Sequence, residues 1–284
     1  MDTKKIFFLS VFKIPSTFWT LAKEMDISFH AFQLQDGCDP ENILPPKHEP
    51  DIVLTDVSSI SRIRQQITRW TKEQKPVLVF GLAGSNQHET LPQLRVRNGM
   101  IFCQKFSSML SLTKAFCAPF QVQDPGVTIL TNSGSLGILG SDLCETEGLY
   151  QTIPDPGILQ HLQMLLSRHV PLYNPILFPP QTNWKTVQKI LSSMLASKRT
   201  ANLLLLLAPI GAAWKELSKA PEWLINTVKK SQIPVHLCLA SPVRDRQVKT
   251  FLQAGLPCHN SPQCAIQSIR ILFDFYSQNS KNIF

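Results

Sequence analysis

The sequence predicts an α/β protein of two tandem domains, each a parallel sheet flanked by helices. Three observations carry that expectation. Short apolar runs rich in β-branched residues alternate with amphipathic stretches of helical length from end to end. The alternation restarts after a proline- and glycine-bearing link at 119–126. The two series also share punctuation: ITRWTKEQKPVLVF (67–80) and LINTVKKSQIPVHLCL (224–239) each run a helix into a proline and then a strand. The expected boundaries are a first domain over 1–118, a link over 119–126 and a second domain over 127–284.

In order, the first series reads as strands at 5–10, 28–32, 51–55, 76–80 and 100–103, with helices at 16–24, 59–72 and 106–116. The second opens on a buried strand from Val127, followed by a helix over 136–147. Strands at 202–208 and 235–239 come next, with helices at 184–196, 221–230, 244–254 and 261–275. Asp155-Pro-Gly and Asn174-Pro read as turns. Two flavodoxin-like domains in tandem satisfy this order, and such domains bind ligands beyond the carboxyl ends of their strands.

Composition narrows the classes of function. The chain has 284 residues, of which 43% are hydrophobic, enough for two real cores. Its longest apolar stretch, 203–210, is far short of a membrane span, and the opening MDTKKIFFLSVF reads as a strand rather than a secretion signal. Seven cysteines, an odd number with no CxxC pair, argue against a disulfide framework and a zinc site and fit a reducing cytoplasm. The net charge of +8 is scattered, in pairs at most, with no aromatic residues interleaved, so neither a nucleic acid nor a membrane is the expected partner. An acidic partner or a phosphorylated small ligand would use the same charge.

One stretch carries chemistry. In GVTILTNSGSLGILGSD (126–142) an apolar strand breaks into a small polar turn just where helical spacing begins. The first amides of a helix have no partner within it, and the macrodipole adds partial positive charge, so a phosphate or carboxylate can bind there with few side chains. Asn132, Ser133, Gly134, Ser135, Leu136 and Gly137 are the candidate anion-binding residues, the two glycines allowing close approach. Ser133 or Ser135 acting only as a helix cap is the other role open to the same turn.

The stretch TNSGSLGILGSDLCETEGL (131–149) resembles the TNxGGxGxLxxDxxExxGL segment of the NDP-forming acyl-CoA synthetases, relatives of succinyl-CoA synthetase. YNPILF (173–178) sits where that family has an NPxD motif, FLQAGLPCHNSPQCAIQSI (251–269) looks like its closing strand–helix unit, and NGMIFCQKFSSMLSLTKAF (98–116) resembles its approach to this domain. In the first domain KIFFLSVFKIPSTFWTLAKEMDISF (5–29) and KPVLVFGLAG (75–84) can be laid on the family's other flavodoxin-like domain. There Val11-Phe12-Lys13-Ile14-Pro15 replaces a Ser-Gly helix start, and Phe80 or Gly81 replaces a lysine.

The resemblance implies phosphate relay by a histidine, stabilised by two helix N-termini. His88, in the shortened segment SNQHET (85–90), is the candidate phosphoryl acceptor, with Glu89 to orient its ring; an ordinary loop histidine is the alternative. His161, His169, His236 and His259 read as surface or satisfied core residues, and Cys258 and Cys264 as small buried apolar ones. No tightly bound cofactor is expected, only contact with the phosphates of CoA or a nucleotide. The family's glycine-rich CoA-binding domain and its ATP-grasp domain have no counterpart in the sequence. The resemblance therefore implies a divergent subunit that needs partner chains for CoA and nucleotide, or a homo-oligomer, and no activity by the chain alone. An inactive paralogue serving as a CoA-, phosphate- or protein-binding module is the alternative.

Overall fold

The structure is a computed structural model that describes residues 4–10, 14, 16–24, 29–33, 49–81, 94–97, 99–166, 170, 172–219, 221–240, 250–251 and 254–281. The chain divides into two compact units, Met1–Cys117 with Asp274–Phe284, and Ala118–Phe273.

In the first unit the strands are β1 (Ile6–Ser10), β2 (His30–Gln33), β3 (Ile52–Asp56), β4 (Val77–Phe80), β5 (Leu94–Arg97) and β6 (Met100–Cys103). They form one sheet in the order β2-β1-β3-β4-β6-β5. All pairings are parallel except β5 with β6, an antiparallel edge that the alternation of apolar runs did not suggest. Apart from that edge, the order is the flavodoxin-like one. Helices α1 (Ser16–Glu24), α2 (Arg64–Lys72) and α3 (Phe106–Cys117) flank the sheet. On one face Leu9, Val53, Val77 and Val79 pack against Ile63, Ile67 and the fully buried Trp70. Burial on both faces explains why β1, β3 and β4 read as unbroken apolar runs rather than alternating ones.

The helix expected over 59–72 starts late, at Arg64. The Asp56 carboxylate accepts from the Ser59 amide at 3.0 Å and from its hydroxyl at 2.8 Å, and this local turn competes with the first helical bonds.

The second unit contains β7 (Gly126–Thr131), β8 (Tyr150–Gln151), β9 (Ile176–Leu177), β10 (Asn202–Leu207), β11 (Val235–Leu239) and β12 (Cys258–His259). Their order is β12-β11-β10-β7-β8, all parallel, with β9 pairing the far half of β7. This again is the flavodoxin-like arrangement. Its helices are α4 (Gly134–Thr146), α5 (Pro156–Leu165), α6 (Trp184–Ala196), α7 (Gly211–Lys219), α8 (Glu222–Val228) and the part of α9 (Pro262–Lys281) up to Phe273. Leu130, Leu203, Leu205, Leu207, Val235 and Leu237 point into a core built with Leu162, Val187, Ile190, Met194, Leu217 and Leu224 of α5 to α8. The alternate residues Ile129 and Leu206 meet α4 on the opposite face.

Two expected turns prove to be structural joints. Asp155-Pro156-Gly157 opens α5, with the proline in the first turn, where its missing N–H is no loss. The Asp155 carboxylate meanwhile accepts from the Ser197 hydroxyl (2.9 Å) and the Lys198 amide (2.8 Å). Asn174, before a cis Pro175, donates to the carbonyls of Val127 (2.7 Å) and Thr152 (2.8 Å) and accepts from the Ile129 amide (2.9 Å). One amide side chain thereby completes the edge of β7 where β8 stops and β9 has not begun. Of the expected helix at 244–254, only 250, 251 and 254 are among the described residues. The helix expected over 261–275 runs on to Lys281. None of the helices among the described residues is long and apolar enough to cross a membrane.

Candidate functional site

The polar turn lies where the sequence places it, between the end of β7 and the first turn of α4. Ser133 has extended backbone (φ −140°, ψ 120°), and its carbonyl accepts from the Gly137 amide at 3.0 Å. Its hydroxyl accepts from the Leu136 amide at 3.5 Å, a long and therefore weak cap. The Thr131 hydroxyl accepts from the Ser133 amide at 3.1 Å and holds the turn from behind.

The six candidate residues divide by what they touch. Asn132 is buried, and its side chain is engaged by protein: it donates to the carbonyls of Ala208 (3.0 Å) and Ile210 (3.1 Å) and accepts from the Ala208 amide (2.8 Å). This ties the ends of β7 and β10 together at the point where strand order reverses. Gly137 is buried too; a Cβ there would stand 3.2 Å from Pro175 and 3.3 Å from Thr131. Gly140, one turn on, would place its Cβ 2.8 Å from Leu206. These glycines let the helix lie close on the sheet. Ser133 and Leu136 are half-buried, while Gly134 and Ser135 are exposed, and a Cβ on Gly134 would meet nothing within 4 Å. The open part of the turn is therefore Ser133 to Ser135, a backbone surface rather than a set of side chains.

The neighbouring helix start is closed by comparison. Gly211 begins α7 with φ +84°, and the Ala212 amide donates to the Pro180 carbonyl at 3.0 Å. No acidic residue lies between Gly126 and Ser141, so the field of the α4 dipole at the turn is not opposed from within the turn. At the other end of α4 the Arg270 guanidinium donates to the carbonyls of Glu147 (3.0 Å) and Gly148 (3.3 Å), and Gln267 holds the Glu147 carboxylate at 2.9 Å. The EGL at the close of the quoted motif is thus a helix terminus, with Gly148 at φ +68°.

His88 and Glu89 lie outside the described residues, as do Val11, Phe12, Lys13 and Pro15 of the first unit's corresponding turn. At the end of β4, Phe80 stacks face to face on Phe106 (3.7 Å between centroids, 14° between planes), and Phe106 meets the buried Phe18 edge-on. An aromatic stack thus stands where the resemblance looks for a lysine. Three buried thiols are poor nucleophiles: burial pushes Cys144 up to about 12 and Cys103 and Cys238 higher still, so they stay protonated. Among the described residues no three His, Cys, Asp or Glu side chains are grouped to hold a metal ion.

No protein-family model matches the chain, and no curated protein matches it. Solved structures do. PH0766 from Pyrococcus horikoshii OT3 superposes with a TM-score of 0.78 at 18% identity, over 98% of this chain and 65% of that one. The dinucleotide forming acetyl-coenzyme A synthetase 1 of Ca. Korarchaeum cryptofilum gives 0.73 in its apo form, at 14% identity over 99% and 67%. Its complex with phosphate and ADP gives 0.74, again at 14%, over 99% and 66%. Fold is what this likeness establishes. The chain spans about two thirds of the length of these structures, and both of its units are covered.

Proposed function

We propose that the chain is a divergent component of an NDP-forming acyl-CoA synthetase system, working in the cytoplasm with partner chains that bring CoA and nucleotide. The observation that carries this reading is the exposed backbone turn Ser133 to Ser135 at the start of a 13-residue helix, in a chain whose fold matches an acetyl-coenzyme A synthetase over 99% of its length. The turn would take an anionic group of a phosphate, a nucleotide or CoA through backbone N–H groups. No lysine or arginine of the turn adds a charge-assisted bond, so affinity should be weak until another chain or segment completes the site. Phe80 favours a second reading, because a stacked aromatic pair at the end of β4 supplies no charge for a transferred phosphoryl group. In that reading the chain is an inactive paralogue that binds CoA, phosphate or a protein partner.

Gly134→Asp separates cradle from cap. The new side chain has room, and a carboxylate in the first turn favours the helix, so thermal stability should hold or rise slightly. The same carboxylate opposes a bound anion, and affinity for phosphate or CoA should fall by about tenfold or more. Calorimetric titration beside a melting curve checks both. Anion binding that Gly134→Asp leaves unchanged removes the cradle, and Ser133 is then a cap only.

A further inference from the structure

The second unit buries two histidines in contact. His236 on β11 is fully enclosed and His259 on β12 nearly so, at 0% and 2% exposure. Their rings are close to parallel, 20° apart with centroids at 5.6 Å, and His236 Nδ1 lies 3.4 Å from His259 Nε2. Phe120, from the segment leading into β7, meets the His236 ring at 5.4 Å and 64°. The Nε2 of His236 is buried without a hydrogen-bond partner among the described residues.

We propose that His236 and His259 form an acid-sensitive clasp that holds β12 and the Phe120 segment on β11. The unpartnered Nε2 decides the tautomer. A buried lone pair without a partner costs less than a buried N–H without one, so the proton of neutral His236 sits on Nδ1 and is donated to His259 Nε2. A second proton on His236 would then have to sit on Nε2, charged and unpaired in an apolar site. Burial alone holds His236 down to about 3, with no carboxylate contributing. The titratable group in contact with His236 is His259, and around Cys238 on the same strand stand the thiols of Cys258 on β12 and Cys264 on α9. Cys238 is held protonated by burial and its thiol neighbours, so it supplies no countercharge.

The sign follows. His236 takes up a proton near 6.5 when unfolded and near 3 when folded. Between those values the unfolded state binds more protons, so stability is full above 6.5 and falls as pH drops toward 3. For this one site the unfolding constant should rise roughly thirtyfold between pH 7.5 and pH 5.0. β12 is a two-residue edge strand, and the first opening should occur there.

The test uses the full chain. Denaturant unfolding of the wild type and of His236→Leu at both pH values should show that the substitution removes roughly thirtyfold of the pH dependence, and an unchanged dependence overturns the proposal. Imidazole ¹⁵N spectra of the wild type serve independently of whether the variant folds. They should show His236 neutral and protonated at Nδ1 at pH 5.0, and a His236 that titrates near 6.5 in the folded chain also overturns it. Amide exchange at pH 5.0, relative to intrinsic rates, should be faster at Leu237, which donates to Pro257 across the clasp, than at Leu204 of β10. Equal protection at the two sites removes the local opening.

Discussion

Gly211→Ala is expected to cost about 3–5 kcal/mol and to lower the melting temperature of the second unit by on the order of 10 °C. Two independent effects add. The backbone at Gly211 is left-handed, with φ +84°, which an L side chain adopts only under strain. The added Cβ would also fall 1.9 Å from the carbonyl oxygen of Pro180 and 2.6 Å from its carbon. That neighbour is backbone, tied to the Ala212 amide at 3.0 Å, so no rotamer change relieves the overlap. Gly134→Ala, with nothing within 4 Å, is the matched control and should change stability by a small fraction of that. Thermal melts of the two variants side by side check the contrast. A Gly211→Ala chain that melts with the wild type would mean that the Pro180 backbone yields to the added methyl group at little cost.

The contrast also marks what the sequence made legible. Buried strands of parallel sheets are continuous apolar runs, so β1, β3, β4, β7, β10 and β11 stand out, and with the helices between them they carry the fold class. The two-residue strands β8, β9 and β12 are too short for any period. They exist because the edge of a longer strand supplies their partners. Helix α7 was hidden for another reason. Its start depends on a glycine whose left-handed φ and close approach to Pro180 are properties of the folded chain. Within the candidate site, sequence located the strand end and a serine cap, and set the helix start at 136, two residues past its first residue, Gly134. It could not tell apart the functions of two glycines three residues apart, because whether a glycine faces solvent or a sheet depends on packing. Gly134 is open and Gly137 lies against Pro175. Nor could it tell that Asn132, beside a ligand-like turn, turns its amide toward β10.

Asn132→Ala should therefore destabilise the second unit by about 2–4 kcal/mol while leaving the anion affinity of the folded molecules unchanged. The amide makes three bonds across the switch point, to the carbonyls of Ala208 and Ile210 and from the Ala208 amide, and alanine leaves all three groups to find other partners. Ile210 is partly exposed, so water can reach some of them, which places the loss below that of three fully buried bonds. Asn132→Asp should not rescue it. The carboxylate keeps the shape and the bond from the Ala208 amide, but it faces two carbonyl oxygens to which it can donate nothing when ionised. Denaturant midpoints at constant slope measure the stability, and titration of phosphate or CoA, corrected for the fraction folded, measures the site. Lost affinity at unchanged stability would make Asn132 a ligand-contacting residue. Lost stability at unchanged affinity identifies it as the clamp that holds the ends of β7 and β10 together.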